Sequence, residues 1–318
     1  GNYNVAVGDE AGTAITTGDQ NVAIGYGAAT ALTTGANTVA IGYLAGDALT
    51  TGENNVAIGK NALGAEDTHD FNIAIGSNAL AVQNAGADAY NIAIGHNAGT
   101  AVTTGPHNTL IGGLAGNDIT TGTNNTLIGG LAGDALTDSD RNTAIGYNAL
   151  SSDTLGQYNT AVGFGSFTTQ NFTTATNSYN TGLGYQAGML VTTGVESTLI
   201  GGLAGDALTT GQQNVALGYG ALSADTLGNR SVAIGHSALD SQNFTTATNA
   251  YNVAVGYSAG TAVTTGIKNA MFGTLALSAS TTGQENVAIG HQALTADTKG
   301  QRNVAVGANA LDIQNFTT

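Results

Sequence analysis

The sequence predicts an all-β chain, a parallel β-solenoid (β-roll) of eighteen short coils. A unit that reads Asn-Val-Ala-Ile-Gly in its best copies recurs eighteen times, and its closing glycines are seventeen positions apart in fourteen of the seventeen intervals, as from Gly8 to Gly25 and from Gly25 to Gly42. A coil of this length is too short for the helix pair of an α-solenoid. Large, small and large residues alternate before each glycine, with β-branched residues on both sides, and this pattern is typical of a strand.

The first half of each coil is this strand. Asparagine stands at the strand entry, as in Asn21 and Asn55, where its side chain can bond turn backbone and stacked copies can form a ladder. The closing glycine permits a corner with positive φ. We expect the branched residue before the glycine to fill the interior. The predicted structural core is Ile24, Ile41, Ile58, Ile75, Ile94, Ile111, Ile128, Ile145, Ile200, Ile234 and Ile289.

The small residue in the middle of the strand is usually alanine, as in Ala23 and Ala40. If the branched residues face inward, the alanine column forms a smooth apolar strip outside the roll. Such a strip favours close packing with another chain, and a cyclic trimer would bury it. We therefore expect a parallel homotrimer.

The second half of each coil holds one large apolar residue at either of two positions. Nine coils place it four residues past the closing glycine, as Leu63 and Leu150, and nine place it seven past, as Leu49 and Leu136. Filling both positions would overpack the interior, and filling neither would leave a cavity. We predict one interior slot that is filled from either position. Thr-Thr-Gly then closes most coils as the second corner.

Composition excludes several classes of function. The chain has 6 basic and 21 acidic residues, a net charge of −15, so it lacks the basic face of a nucleic-acid-binding protein. No apolar run approaches the roughly 18 residues of a membrane helix, and we expect no membrane contact within this segment. The absence of cysteine excludes disulfides, thiol catalysis and cysteine-based zinc sites.

No chemistry-bearing constellation is evident either. Equivalent carboxylates such as Asp153 and Asp225 are four coils apart. Three of the five histidines share the column after the closing glycine, but neighbouring coils seldom both carry one. We predict no catalytic residues, no cofactor and no metal site, and hence a protein that is not an enzyme.

The repeat runs without interruption, so residues 1–318 are predicted to be a single continuous β-roll region. The chain begins and ends in the middle of a unit, without an initiator methionine or atypical capping repeats. We expect it to be a fragment of a longer fibrous protein.

Two groups of residues are candidate contact surfaces. One is a column of tyrosines directly after the closing glycine. These side chains either cover a corner of the roll or stack on sugar rings, and they are Tyr26, Tyr43, Tyr147, Tyr185, Tyr219 and Tyr257. The other is a set of inserted loops at 170–177, 242–249 and the start of a third at 314–318. Their phenylalanines either fold back over the roll or stand exposed as partner contacts, and the candidate residues are Asn171, Phe172, Asn243, Phe244, Asn315 and Phe316.

The Asn-Val-Ala-Ile-Gly strand, the alanine three residues past its glycine and the glycine corners resemble the YadA-like head repeats of trimeric autotransporter adhesins, and similar units occur in bacteriophage tail fibres. The resemblance covers essentially the whole chain. It implies a bundle of three left-handed parallel β-rolls whose head binds a glycan or protein receptor on a target surface. The present unit is longer than the family's usual one and carries a Thr-Thr-Gly corner instead of a serine-rich one.

Three functions follow as hypotheses. The first is a non-enzymatic extracellular adhesin head or shaft on a cell surface, which extends outward and presents repeated binding faces. The second is the structural shaft of a bacteriophage tail fibre, a virion appendage. The third is a monomeric ice- or glycan-binding solenoid.

Overall fold

A computed structural model describes residues 1–316 and confirms an all-β parallel β-solenoid of about eighteen coils, with no helix among the described residues. Two compact units can be distinguished. Unit 1 comprises Gly1–Tyr158 with Thr173–Thr176, and unit 2 comprises Asn159–Phe172 with the residues from Asn177 onward. Each unit is a stack of coils in its own right. That residues 1–318 form a single continuous region stays a prediction, and residues 317 and 318 lie outside the described chain.

Each coil contributes one three-residue strand, which is the strand predicted before the closing glycine. In unit 1 these are β1 (Val5–Val7), β2 (Val22–Ile24), β3 (Val39–Ile41), β4 (Val56–Ile58), β5 (Ile73–Ile75), β6 (Ile92–Ile94), β7 (Thr109–Ile111), β8 (Thr126–Ile128) and β9 (Thr143–Ile145). In unit 2 they are β11 (Thr160–Val162), β13 (Thr181–Leu183), β14 (Thr198–Ile200), β15 (Val215–Leu217), β17 (Val232–Ile234), β19 (Val253–Val255), β20 (Ala270–Phe272), β21 (Val287–Ile289) and β22 (Val304–Val306). The remaining strands have two residues each: β10 (Gly156–Gln157), β12 (Thr176–Asn177), β16 (Gly228–Asn229) and β18 (Thr248–Asn249).

Within each unit, consecutive three-residue strands pair in parallel and in register, so that equivalent residues of the repeat stack in columns. Ala23 lies opposite Ala40 in unit 1, and Ala233 lies opposite Ala254 in unit 2. The closing glycine is required at the corner for two reasons. Gly59 has a φ of +132°, which side chains disfavour, and an added Cβ would stand 2.5 Å from the carbonyl oxygen of Gly76.

The asparagine column forms the predicted ladder, although its side chains bond the corner of the next coil. Asn55 donates from Nδ2 to the carbonyl of His69 at 2.8 Å, and its Oδ1 accepts the backbone N–H of Asn72 at 2.9 Å. The first threonine of the Thr-Thr-Gly corner adds a second ladder. Thr33 Oγ1 donates to the carbonyl of Thr50 at 3.0 Å. Both ladders satisfy corner backbone groups that the short strands leave unpaired.

The assignment of inside and outside made from the sequence is wrong for the strand. The mid-strand alanines, expected outside, are buried in every coil but the first, where Ala6 is exposed, and so are the larger residues that replace them in four coils, Leu110, Leu127, Leu199 and Met271. Alternate side chains of a strand face opposite ways, so the residues on either side of each alanine point outward. The expected core isoleucines are half-buried or exposed in the chain: Ile24, Ile41, Ile58, Ile75, Ile94, Ile111, Ile128, Ile145, Ile200, Ile234 and Ile289.

The true interior consists of alanine, asparagine and the slot residue. Leu49 and Leu63, which fill the slot from its two positions, are both fully buried. An added Cβ on Gly46, the residue at the alternative position in the coil of Leu49, would stand 2.9 Å from Leu49 Cδ1. The predicted slot switch is therefore confirmed, because the two positions project into the same space.

Candidate functional site

The outer face of the strands carries two adjacent columns of branched residues, which we call the outer apolar face. It consists of the first and third residues of β1–β9 in unit 1 and of the corresponding three-residue strands in unit 2. In β4, for example, Val56 and Ile58 are half-buried while Ala57 between them is fully buried. In unit 2, Leu217 and Ile289 are 42 % and 40 % exposed. Each unit thus leaves the largely apolar outer face of its strands partly exposed.

The predicted tyrosine column borders the outer apolar face. Its six members, Tyr26, Tyr43, Tyr147, Tyr185, Tyr219 and Tyr257, are between 45 % and 57 % exposed. Their rings stack along the column instead of standing free. The Tyr26 and Tyr43 centroids are 5.4 Å apart at an interplanar angle of 16°, and His236 lies between Tyr219 and Tyr257 at 5.4 Å from each. The nearby Glu10 carboxylate raises the pKa of Tyr26.

A second ring column lies on the other side of the same face, and the sequence analysis missed it. It occupies the position before the strand-entry asparagine. Tyr90 stacks between Phe71 and His107, with centroids 5.2 and 5.5 Å away, and the Arg230 guanidinium lies 5.7 Å from the Tyr251 ring centroid. In the sequence, this second column could have been recognised from the aromatic and basic residues that recur directly before the strand-entry position. In both columns, stacking on neighbours occupies ring faces of these residues.

The inserted loops do not expose the aromatic side chains expected of a partner-contact site. Phe172 and Phe244 are buried, at 6 % and 5 % exposure, whereas Phe316, in the last described coil, is half exposed. Asn171, Asn243 and Asn315 are exposed. The prediction of a row of exposed phenylalanines is therefore wrong for its two internal members. The alternative, a ring that folds back over the roll, is confirmed for them.

A buried carboxylate in the preceding coil holds the inserted loop that carries Phe244. Asp225 Oδ1 accepts the backbone N–H of Phe244 at 3.3 Å, and its Oδ2 accepts Gln242 Nε2 at 2.6 Å. Gln242 in turn accepts Asn252 Nδ2 at 2.8 Å. Burial raises the pKa of Asp225, and the hydrogen bonds from Gln242, Phe244 and Gly228 oppose that shift. This network holds the loop that carries the buried Phe244 ring.

The same combination of a buried acid and a glutamine one coil later recurs at four places. The pairs are Glu66 with Gln83, Asp153 with Gln170, Asp225 with Gln242 and Asp297 with Gln314. An acid followed by glutamine in the next coil was the signal that could have indicated the network.

One of these acids belongs to a further cluster. Within residues 1–316, Glu66, Asp67 and His69 form a group of three potential metal ligands whose ligating atoms all lie within 4.8 Å of one another. Glu66 Oε1 and His69 Nδ1 are 2.8 Å apart. The sequence analysis assigned no metal ligands to this segment.

Residues 1–316 include no helix long and apolar enough to cross a lipid bilayer. Comparison with known proteins adds no relative, since no protein-family model and no curated protein sequence matches the chain.

Proposed function

We propose that this chain is part of a non-enzymatic extracellular fibre, a homotrimeric adhesin head or shaft that extends from a surface and presents repeated binding faces. The observation that carries the proposal is the outer apolar face, which recurs coil after coil in both units. A lone chain leaves these Val, Ile and Thr columns partly in water. Association of identical chains through this face removes the apolar surface from water.

A standard interface buries about 800 Å² per partner, a small part of the 12004 Å² that the whole chain exposes. The face is continuous within each unit and flanked by polar and aromatic columns, which is the arrangement of an apolar centre with a polar rim. Three copies, left-handed coils and an extracellular location rest on the resemblance of the repeats to YadA-like heads.

The structural shaft of a bacteriophage tail fibre is the second candidate, and one observation favours it. The internal loops bury Phe172 and Phe244, which removes the most conspicuous candidate contact site for a receptor. A regular roll with few exposed anchors suits a segment that supplies length and stiffness. A monomeric ice-binding solenoid has less support, because the Thr33 hydroxyl and its equivalents donate to backbone carbonyls of the next coil.

Sedimentation equilibrium tests the assembly. We expect a mass three times the chain's 31.4 kDa, and dissociation to single chains when Ile41 and Ile58 are both replaced by aspartate. The variant should keep its β-sheet circular dichroism, because both side chains point away from the roll's interior. Lys60→Ala, an exposed change in the same coil as Ile58, is the matched control and should stay trimeric.

A wild-type mass of one chain would contradict the trimer. The full-length sequence decides between the two fibres: a coiled-coil stalk and membrane anchor beside the repeats select the adhesin, and a tail-attachment domain selects the phage shaft.

A further inference from the structure

The second corner of the fourth coil departs from the repeat in two columns and carries a buried acid in a third. Thirteen of the eighteen coils have threonine eight residues past the closing glycine, where this coil has Asp67. Thirteen have glycine ten residues past it, where this coil has His69. Glu66 occupies the seventh position, and it is the only glutamate in that column. All three positions hold side chains of types that bind metals.

The packing of the coils fixes the position of the Glu66 carboxylate. Glu66 is fully buried, and its Oε2 accepts Gln83 Nε2 at 3.0 Å and the backbone N–H of Ala85 at 3.4 Å. The other oxygen, Oε1, lies 2.8 Å from His69 Nδ1. One carboxylate oxygen is therefore held by the next coil while the other is presented at the corner beside two half-buried ligands.

The surroundings of the cluster are acidic. The backbone N–H of Glu53 donates to Asp70 Oδ1 at 2.6 Å, and the backbone N–H of Asp70 donates to Asp88 Oδ1 at 3.2 Å. The carboxylates of Asp70 and Asp88, in two successive coils, thus lie along this edge. Among the described residues, no lysine or arginine forms an ion pair with any of them. Negative charge at a fixed, partly buried point favours a cation.

We propose that Glu66, Asp67 and His69 bind one divalent transition-metal ion of the Zn²⁺ type. Imidazole nitrogen and carboxylate oxygen are both ligands that Zn²⁺ uses, with water at the remaining position. A histidine in the set favours a transition metal over Ca²⁺ and Mg²⁺, which prefer oxygen ligands. The ion that takes His69 Nδ1 replaces the proton of the hydrogen bond to Glu66. Because all three ligands lie in one corner of one coil, the site is independent of chain assembly.

The repeat itself supplies variants that remove ligands while keeping the coil. His69→Gly and Asp67→Thr install the residues that most other coils carry at these positions, so both proteins should fold. His107→Asn is the matched control, because Asn37 and Asn54 occupy the same column as His107. Isothermal titration with Zn²⁺ measures stoichiometry and affinity, and Co²⁺ absorption in the visible range reports the coordination geometry.

We expect one Zn²⁺ per wild-type chain, and a loss of affinity of more than about tenfold in each ligand variant. The control should bind as the wild type does. Zn²⁺ should also raise the melting temperature of the wild type but not of His69→Gly, since a ligand stabilises the state that binds it. Absence of stoichiometric binding, or equal affinity in wild type and His69→Gly, would overturn the proposal. So would a comparable loss in His107→Asn.

Discussion

In the coils with a mid-strand leucine, a glycine lies across the narrow interior of the roll. Where alanine gives way to leucine, as at Leu110 and Leu127, the fourth position past the closing glycine is itself glycine. A Cβ added to Gly116 would stand 2.9 Å from Leu110 Cδ2 and 3.0 Å from Leu127 Cδ1. Glycine at the fourth position therefore leaves room for leucine in the middle of the strand. Isoleucine faces outward because the inner wall has no room for a column of branched side chains.

The buried carboxylates are the other unusual residues of the interior. Asp225 has no cation beside it and depends on hydrogen bonds from the next coil and from Gly228. Burial nevertheless raises its pKa above the usual value of 3.8. A folded state with a raised carboxyl pKa binds more protons than the unfolded chain, so it loses stability as pH rises through that raised pKa.

We predict that Asp225→Asn removes the contribution of this carboxyl group to the pH dependence of the free energy of unfolding. As pH falls from 7 towards 4, wild-type Asp225 takes up a proton and its burial costs less, whereas the amide of the variant does not change. The free energy of unfolding of the wild type should rise relative to that of the variant over this range. Urea titration at several pH values measures the difference, with the exposed Glu196→Gln as control. A constant difference across the range would contradict the assignment.

Each coil acts as an element that places one large side chain in a shared slot. The position four residues past the closing glycine has a left-handed backbone whether the coil fills the slot from there or from the seventh position. The φ angle is +54° at Gly46 and +51° at Leu63. Leucine is therefore tolerated there by the same backbone that otherwise carries glycine. Leu277 with Ser280 is a natural coil in which leucine fills the slot from the fourth position and a small residue stands at the seventh.

The third coil can be converted to this second arrangement by Gly46→Leu with Leu49→Ser. The first change alone should overpack the slot, and the second alone should remove a buried leucine at a cost of about 2–5 kcal/mol. Together they should restore most of the lost stability, because one side chain replaces the other. A double-mutant cycle in chemical denaturation measures the coupling. Additive losses would show that the two positions are independent.

Charge is distributed unevenly over the whole molecule. Residues 1–158 hold fourteen of the 21 carboxylates but only two of the six basic side chains. Exposed like charges repel one another in the folded state more than in the expanded unfolded chain. Added salt shortens the Debye length from about 30 Å at 0.01 M to about 8 Å at 0.15 M.

We therefore expect the melting temperature to rise when NaCl increases from about 0.01 to about 0.15 M. A gain of about 1 kcal/mol corresponds to roughly 2–4 °C for a chain of this size class. Differential scanning calorimetry at fixed pH measures the shift, and an equal osmolality of sucrose controls for excluded-solute effects. A melting temperature that stays constant or falls with salt would mean that charge repulsion does not limit stability.

The period of the repeat, the strand before each closing glycine, the asparagine ladder and the slot switch were all predicted from the sequence. They could be, because each is a local rule that repeats in register from coil to coil. The candidate contact surfaces were predicted less well. The tyrosine column is exposed, but Phe172 and Phe244 are buried. The loop of Phe244 is held by a hydrogen bond to Asp225 of the preceding coil. A contact between two coils cannot be predicted from the sequence of either coil alone.

The direction in which the strand faces was decided by the tertiary structure. An alternating pattern defines two faces of a strand but does not say which one is inside. Hydrophobicity favours Ile58 over Ala57 for the interior, yet Ala57 is buried and Ile58 is not fully so. The space between the two walls is set by the slot residues and the asparagine side chains, and it admits only a methyl group opposite them in most coils. The apolar side chains that do not fit lie on the outside, where they form the surface through which we propose that the chains assemble.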